Sequence, residues 1–351
     1  MRALVCHRFG DYHDLRIEQV APPSLPPGGV RIAIHAASLS FSIKLLIAGK
    51  YQLKPELPFI PGAEVVGRVL ETAPGVSACR PGQRVLALIG EGGYAEQAVS
   101  LESTVYPLPD AVAFGEALHL GLSYLTAYGA LAWRARLAVG ETLLVLAAAG
   151  GVGLAALEVG RALGARVIAA AGGAEKCALA RDHGAALCVD YRAADPREVM
   201  RTLAPQQDVD VVFDPVGGAM SEAALRCLRP GGRLLAVGFA SGVMPQLQPN
   251  ILLVKNLSLQ GFNFGAYIGW SPVDQRKRYE PQVRAALAQI FAWQAQGKLS
   301  PLVGQSYPLA RFAEALEALH QRNTVGKVIL HPADTMSTAA SAAIDPPTLE
   351  S

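Results

Sequence analysis

Short apolar runs separated by turn signals dominate the first part of the chain. Residues 30–36 and 64–70 are rich in β-branched side chains, and residues 84–89 follow a Pro-Gly pair. Apolar runs bounded by such breakers are typical of strands. Helical spacing is sparse there, and residues 41–48 predict one or two helical turns. This region is therefore predicted to form an all-β, barrel-like domain.

Beyond about residue 115, strands and helices alternate along the chain. Predicted strands are residues 142–147, 166–170, 186–190, 209–214, 233–237, 258–261 and 328–330. Predicted helices are residues 116–132, 152–163, 175–183, 219–228, 282–296 and 309–322. This alternation predicts an α/β fold with a doubly wound parallel sheet, covered by helices on both faces. Residues 252–261 are predicted to include an edge strand of that sheet.

Composition and charge fit two folded domains. The chain has 351 residues, of which 51% are hydrophobic and 17% charged, which is ample for a core and excludes general disorder. A net charge of +2 gives no electrostatic case for a nucleic-acid partner. Residues 332–351 are rich in Ala, Ser, Thr and Pro, and we expect them to be a disordered tail.

Cysteine usage and apolar run lengths bear on the compartment. The five cysteines are odd in number and no two lie within ten residues, which excludes a CxxC motif and argues against a disulfide framework. No apolar run has the character of a leader peptide or a membrane span. We therefore expect a cytoplasmic protein without a membrane partner.

A glycine-rich loop is the strongest motif. Ala148, Gly150 and Gly153 fit the spacing G-x-G-x-x-G, with alanine at the first position. The loop follows an apolar strand and opens a helix, which is the context of a dinucleotide site in a Rossmann sheet. Glycine lets the backbone approach a pyrophosphate, and the helix N-terminus offers N–H donors. The predicted pyrophosphate-binding residues are Ala149, Gly150, Gly151, Val152 and Gly153.

The end of the second parallel strand indicates which dinucleotide binds. NAD sites place Asp or Glu there to bind the ribose 2′-hydroxyl. Residues 168–174 carry no acid, and Gly172 is followed by Lys176, with Tyr191 after the next strand. A small loop with a cation suits a 2′-phosphate, so NADPH is favoured. The alternatives are an ordinary exposed helix lysine and a strand-edge tyrosine.

Later strand ends point to the same edge of the sheet. Asp214 ends one predicted strand, and Gly238 and Phe239 follow another. Ligands of doubly wound sheets bind at the carboxyl ends of the strands, so all three residues are candidates for cofactor binding. Asp214 has the alternative role of a helix cap.

Further motifs occur in a specific order along the chain. They are residues 49–51, 58–64, 81–85, 92–96, 125–128, 214–218 and 326–328, together with the glycine loop. In these segments the chain resembles the zinc-independent quinone oxidoreductase branch of the medium-chain dehydrogenase/reductase superfamily. The resemblance covers about residues 1–330.

The resemblance implies a two-domain architecture and several roles. Residues 1–122, completed by 265–331, would form a GroES-like β-barrel substrate domain, and 123–264 the NADPH-binding Rossmann domain. Two copies would pair through the edge strand as a homodimer. Thr126 and Ser40 would lie near the nicotinamide, Tyr51 near the substrate, and Lys327 in the cofactor site.

Departures from the zinc-dependent relatives limit the chemistry. Those relatives carry a Cys after the second strand and a His in Pro-Gly-His-Glu, where this chain has residues 40–44 and Ala63. Zinc needs three or four N, S or O ligands, so no metal is expected. A quinone or α,β-unsaturated carbonyl spreads the charge of an incoming hydride and needs less electrophilic help than a simple ketone. The branch often has Asn-Phe-x-Asp where this chain has Ser40-Phe41-Ser42-Ile43.

Tyr51 and Ser40 are the catalytic candidates. Tyr51 could donate to the substrate oxygen, although a phenol with an ordinary pKa near 10 is a weak acid; the alternative is a packed aromatic. Four aromatics line either a pocket or the core, namely Phe262, Phe264, Tyr267 and Trp270. The function predicted is hydride transfer from NADPH to a quinone or enone. An enoyl-thioester reductase and an NADPH-binding protein with little turnover are the alternatives.

Overall fold

The structure, a computed structural model, describes residues 1–332. The strands are β1 (Arg2–Val5), β2 (Arg16–Gln19), β3 (Gly29–Leu39), β4 (Glu64–Thr72), β5 (Arg84–Leu88), β6 (Gln97–Leu101), β7 (Val105–Pro107), β8 (Thr142–Leu146), β9 (Arg166–Ala171), β10 (Leu187–Asp190), β11 (Val209–Asp214), β12 (Leu228–Ala236), β13 (Ser258–Gly261), β14 (Val303–Pro308) and β15 (Lys327–His331). The helices are α1 (Ile43–Ile47), α2 (Phe114–Leu120), α3 (Leu122–Tyr128), α4 (Gly151–Ala162), α5 (Ala174–Asp182), α6 (Pro196–Leu203), α7 (Gly218–Cys227), α8 (Pro249–Lys255), α9 (Arg276–Ala295) and α10 (Phe312–His320). The tail expected to be disordered lies, beyond residue 332, outside the described residues.

Both ends of the chain contribute to a seven-stranded sheet. Its pairing order is β14-β15-β3-β4-β5-β7, and β6 also pairs with β3. The long strand β3 is shared along its length, because residues 29–33 pair with β6 and residues 37–39 pair with β15. Only the pairing of β14 with β15 is parallel, and the other pairings of this sheet are antiparallel. This largely antiparallel sheet fits the all-β, barrel-like domain predicted from the first part of the sequence.

Six parallel strands form the second sheet, in the order β10-β9-β8-β11-β12-β13. The chain therefore starts in the middle of the sheet, builds outward to β10, and returns to build outward to β13. This is the doubly wound order that places a ligand crevice where the direction reverses, at the carboxyl ends of β8 and β11. The predicted α/β fold class is confirmed. Long apolar strands such as β8, all five residues of which are buried, fit a sheet covered on both faces.

The edge strand predicted within residues 252–261 is correct for the second half of that range and wrong for the first half. Strand β13 is the edge strand, but residues up to Lys255 lie in helix α8. Pro249 at the first turn favours a helix start, and Asn256, with φ of 52°, ends the helix in the left-handed conformation. The missed helix α6 begins in the same way, with Asp195 as its N-cap before Pro196.

One apolar core runs from the first sheet into the second. It includes Leu86 of β5, Leu125 of α3, Val145 of β8 and Leu157 of α4, all fully buried. Helices α2 and α3 are thus packed between the two sheets, and a π-helical turn, Gly129–Arg134, continues α3. Within residues 1–332, no helix has the length and apolarity needed to cross a lipid bilayer.

Candidate cofactor and active site

The glycine loop joins β8 to α4 in a tight turn. Ala147 has a left-handed φ of 52°, and Gly150 is the N-cap of α4. A Cβ on Gly153 would lie 2.1 Å from the carbonyl oxygen of Ala147, so only glycine fits that position. Because Gly150 has no side chain to cap the helix, the N–H groups of Gly151 and Val152 in the first turn remain available to an anion.

A segment from the far end of the chain lies against this loop. The N–H of Gly326 donates to the carbonyl oxygen of Ala149 at 3.3 Å, and Gly326 forms an isolated parallel bridge with Gly150. A Cβ on Gly326 would lie 2.4 Å from the carbonyl oxygen of Leu302, and its φ of 60° also favours glycine. The glycine loop therefore sits at the junction of the two sheets.

An ion pair is buried at that junction. Lys327 Nζ lies 2.9 Å from Glu64 Oε2, and these side chains are 6% and 0% exposed. Lys327 Nζ also donates to Ser123 Oγ at 3.4 Å, and the N–H of Leu122 donates to Glu64 Oε1. A Cβ on Gly121 would lie 2.3 Å from Glu64 Oε1, which favours glycine there, and the non-helical ψ of −112° at Gly121 divides the predicted helix 116–132 into α2 and α3.

Lys327 was predicted to lie in the cofactor site. Its neighbour Gly326 contacts the glycine loop, but the buried ammonium group of Lys327 itself contacts Glu64 and Ser123. Its structural contribution is to join β15, β4 and α3. A direct contact with the cofactor stays a prediction.

His119 holds the first turn of α4 through a hydrogen bond to its backbone. Its Nε2–H donates to the carbonyl oxygen of Gly151 at 3.0 Å, and its Nδ1 accepts from the N–H of Leu302 at 3.0 Å. Burial lowers the pKa of His119 to about 4. The imidazole is therefore neutral at pH 7, in the single tautomer that satisfies both partners.

Three cationic residues gather where β9 and β10 end. Lys176 Nζ donates to the carbonyl oxygen of Arg322, and the guanidinium of Arg192 donates to the carbonyl oxygen of Gly172 at 2.7 Å. Burial and the charges of Arg192 and Arg322 lower the pKa of Lys176. The ring of Tyr191 covers Gly172, where a Cβ would lie 2.7 Å from the phenol oxygen. We call Lys176, Tyr191, Arg192 and Arg322 the cationic cluster.

Asp190 organises the backbone of that cluster. Its Oδ1 accepts from the N–H of Gly173 at 2.8 Å and from the N–H of Arg192 at 2.9 Å. Both hydrogen bonds lower the pKa of Asp190, so the carboxylate is charged at neutral pH. This acid therefore shapes the loop after β9 rather than replacing the missing acid of an NAD site.

The loops after β11 and β12 pack against each other. Asp214 Oδ1 accepts from the N–H groups of Val216 and Gly217 at 2.8 and 3.0 Å, and Ser221 donates to the other oxygen. These contacts hold the turn between β11 and α7, whose N-cap is Gly217, so Asp214 supports the start of the helix without being its cap residue. A direct contact of Asp214 with the cofactor stays a prediction. A Cβ on Gly217 would lie 2.9 Å from the ring of Phe239, which is 40% exposed.

The position of Gly238 agrees with that packing. A Cβ on Gly238 would lie 3.3 Å from the carbonyl oxygen of Pro215, and the N–H of Gly238 points to the carbonyl oxygen of Asp214 at 3.4 Å. Gly238 thus lets the β12 loop approach the β11 loop at the carboxyl edge of the sheet. Phe239 is the partly exposed aromatic of that edge.

Three hydroxyl side chains meet after β3. Ser40 Oγ lies 3.1 Å from Ser42 Oγ, and Ser42 and Gln52 hydrogen-bond with the phenol of Tyr51. Burial raises the pKa of Tyr51, and the two hydrogen bonds only partly offset this. The phenol therefore keeps its proton at neutral pH. Ser40 and Tyr51 are the predicted catalytic residues, and the structure adds Ser42 as the group between them.

The segment at the end of α10 and after it contacts the loop after β3, the cationic cluster and the glycine loop. Phe41 packs on His320 at the end of α10, with ring centroids 4.5 Å apart. The following residues reach Lys176 through Arg322 and Ala149 through Gly326. Residues 320–326 therefore run past all three parts of the site.

Thr126 lies on the helix that flanks the glycine loop. It is half-buried on α3, one turn after Ser123. A Cβ on Gly151 would lie 3.5 Å from Ser123 Oγ, so this face of α3 is adjacent to the first turn of α4. Residues three apart share a helix face, which places Thr126 on the same side.

The aromatic group at residues 262–270 belongs mainly to the core. Phe262 and Phe264 are 6% and 3% exposed, and Tyr267 packs on both, with centroids 5.6 and 6.0 Å away. Trp270 is half-buried beside Gly90, where a Cβ would lie 3.0 Å from the indole nitrogen. The core alternative therefore describes this group.

Two cationic members were missed in the sequence. Arg192 directly follows Tyr191, and adjacency to a predicted site residue was the available signal. Arg322 has a left-handed φ of 60° after α10, and nothing local to it indicated proximity to Lys176.

As for metals, no three His, Cys, Asp or Glu side chains in the described part of the chain gather to hold an ion.

Comparisons with known proteins agree with this geometry. The alcohol dehydrogenase GroES-like domain family matches residues 26–110, and the zinc-binding dehydrogenase family matches residues 151–278. Quinone oxidoreductase-like protein 2 of Bos taurus is 38% identical over 330 residues, covering 94% of this chain and 92% of that protein.

Solved structures extend the likeness to the whole fold. The quinone oxidoreductase of Thermus thermophilus, described with its NADPH complex, is 32% identical with a TM-score of 0.78, covering 94% of this chain and 100% of that one. Escherichia coli quinone oxidoreductase complexed with NADPH is 28% identical with a TM-score of 0.86, covering 95% and 100%. The chain belongs to the zinc-independent quinone oxidoreductase branch of the medium-chain dehydrogenase/reductase superfamily.

Proposed function

We propose that this oxidoreductase transfers a hydride from NADPH to a quinone or an α,β-unsaturated carbonyl compound. The observation that carries the proposal is the cationic cluster beside the glycine loop. Lys176, Arg192 and Arg322 supply positive charge where a dinucleotide places its ribose 2′ position, and Asp190 is occupied by backbone N–H groups. A 2′-phosphate fits this charge better than a 2′-hydroxyl.

The residues present fit the rest of the cofactor. Gly150, Gly151 and Val152 present a helix N-terminus without a capping side chain, which suits a pyrophosphate, and His119 fixes that turn. When bound, NADPH supplies the hydride. The likeness to two quinone oxidoreductases whose structures are described with NADPH supports the same choice.

The cluster of hydroxyl side chains after β3, formed by Ser40, Ser42 and Tyr51, can supply the proton that accompanies the hydride, or a hydrogen bond to the substrate. Tyr51 keeps its phenol proton because burial raises its pKa, and Ser42 and Ser40 continue the hydrogen-bonded chain. A phenol is a weak acid, so its donation assists acceptors whose incoming charge is delocalised. Quinones and enones have that property, which is why we favour them over simple ketones.

An acceptor assay tests the function. We expect purified protein treated with a chelator to oxidise NADPH, followed by absorbance, with members of a panel of quinones and enones. NADH run in parallel should be used less efficiently. Enoyl thioesters belong in the same panel, since fast oxidation with them alone would favour the enoyl-thioester reductase. NADPH binding without oxidation of any acceptor would overturn the enzymatic proposal in favour of a binding protein.

We assign residues 1–122 and 265–331 to the GroES-like substrate domain and residues 123–264 to the Rossmann domain. The pairing of β15 with β3 supports this. Arg284 of α9 also donates to the carbonyl oxygens of Glu102 and Val105 at 2.7 and 3.2 Å, attaching that helix to the first sheet.

We place the protein in the cytoplasm, which its five buried free cysteines support.

We also propose a homodimer formed through the β13 edge. Leu259 on β13 is 48% exposed, and Leu253 and Val254 on α8 are 78% and 79% exposed. An apolar, unpaired strand edge favours pairing with a second copy. Leu259→Lys is expected to convert the dimer to a monomer in sedimentation velocity. Val139→Lys, at an 83% exposed valine before β8, is the matched control and should leave the dimer intact.

A wild-type chain that sediments as a monomer at micromolar concentration would contradict the dimer. So would a Leu259→Lys variant that sediments as the wild type does, because a lysine at the centre of a short paired edge places two ammonium groups close together across the two-fold axis.

A further inference from the structure

Two buried cysteines are in direct contact behind the cationic cluster. Cys188 Sγ on β10 lies 3.1 Å from Cys177 Sγ on α5. The residues are 7% and 3% exposed. The thiols of Cys6 and Cys227 instead face backbone carbonyl oxygens, those of Arg8 and Met200. The Cys177–Cys188 contact therefore brings together two groups that can bond to each other.

We propose that Cys177 and Cys188 are an oxidation site that closes to an intramolecular disulfide, and that closure weakens NADPH binding. The oxidant is hydrogen peroxide. One thiolate attacks the peroxide, so an S–O bond forms, the O–O bond breaks and water leaves after protonation. The second thiol then attacks the sulfenic sulfur, so the S–S bond forms, the S–O bond breaks and a second water leaves. Two thiols are oxidised and one peroxide is reduced.

The contact makes the second step efficient. A disulfide joins sulfurs about 2.05 Å apart, so the two sulfurs must approach by about 1 Å. A sulfenic acid on either cysteine would have the other thiol as its immediate neighbour. Burial raises the pKa of Cys188, and the adjacent Cys177 raises it further, so the first step is slow compared with that of an exposed thiolate.

Closure would act on the cationic cluster through the chain itself. Cys177 directly follows Lys176 on α5, and Cys188 lies two residues before Asp190 on β10. Asp190 holds the N–H groups of Gly173 and Arg192. Drawing α5 and β10 together at the cysteines therefore shifts both Lys176 and the carboxylate that positions Arg192. This second half of the proposal rests on the proposed NADPH function.

Thiol counting with peptide mapping tests the disulfide. After hours in hydrogen peroxide, the unfolded wild-type protein is expected to have lost two of its five titratable thiols, and dithiothreitol should restore both. Non-reducing digestion should yield a peptide pair joined through Cys177 and Cys188. Cys177→Ser and Cys188→Ser should each prevent the joined peptide, whereas Cys79→Ser should not. Oxidation of Cys6, Cys79 or Cys227 ahead of this pair would overturn the site.

Fluorescence titration tests the effect on the cofactor. The oxidised wild type is expected to bind NADPH about tenfold more weakly than the reduced protein, with NADH affinity unchanged and the loss reversed by dithiothreitol. Cys188→Ser should show no peroxide effect. Unchanged NADPH affinity with the disulfide formed would overturn the coupling. Reduced protein that binds no NADPH would instead refute the proposed function, while the peptide map would still decide the disulfide.

Discussion

Lys327→Met is expected to lower the free energy of unfolding by about 3–5 kcal/mol, because it leaves a buried carboxylate without its counter-charge. Glu64 is fully buried, and its other oxygen accepts from the backbone of Leu122. Methionine retains the length and apolar stem of lysine, so the charge is the main change. Equilibrium unfolding in urea, followed by far-UV circular dichroism, measures the loss.

A double variant separates charge from packing. Lys327→Met combined with Glu64→Gln removes both charges, keeps an acceptor for Leu122, and should recover most of the stability lost by the single variant. Lys298→Met, at an exposed lysine, is the matched control and should change stability by less than about 0.5 kcal/mol. A loss below about 1 kcal/mol for Lys327→Met would show that the ion pair is not a significant support of the junction.

Lys176→Glu is expected to raise the KM for NADPH about 100-fold, equivalent to about 2.7 kcal/mol, and that for NADH less than threefold. The substitution turns an attraction to the 2′-phosphate into a repulsion, while NADH offers only a hydroxyl at that position. Initial rates with each cofactor, at a saturating concentration of one acceptor, measure the difference.

The lowered pKa of Lys176 adds a dependence on pH. Its ammonium loses its proton at lower pH than a free lysine would, so the preference for NADPH over NADH should weaken as pH rises into the alkaline range. The same pH change should have little effect on the preference of the variant. Lys298→Glu is the matched control. An equal rise in KM for NADPH and NADH would remove Lys176 from the 2′-phosphate site.

The parallel sheet could be predicted closely because each strand is a local pattern. Strand β11 was predicted at its observed bounds, and β8, β9 and β10 within one residue at each end. Each is an apolar run ended by Gly, Ala or Asp, so neighbours along the chain decide its conformation. The short strands β1, β2, β6, β7 and β14 were not predicted, because they lack the longer apolar runs of the parallel strands.

The candidate site likewise has parts that a local motif predicts and parts that depend on distant residues. The glycine loop is a contiguous motif, and its turn, with no room for a Cβ at Gly153, is fixed by residues six positions apart. The cationic cluster joins Lys176 to Arg322, and the buried ion pair joins Glu64 to Lys327. No periodicity or spacing encodes those meetings, since they depend on how the two sheets are packed.

The sharing of β3 between β6 and β15 has a consequence for synthesis on the ribosome. Residues 37–39 receive their partner β15 only after residues 40–326 have been translated. At the usual elongation rates that delay is on the order of tens of seconds. The nascent first sheet must therefore persist with one end of its longest strand uncovered, while the six parallel strands that follow can already complete their own pairing. Chaperone demand during translation should accordingly be concentrated on that uncovered edge, and a chain truncated before β15 should aggregate through it.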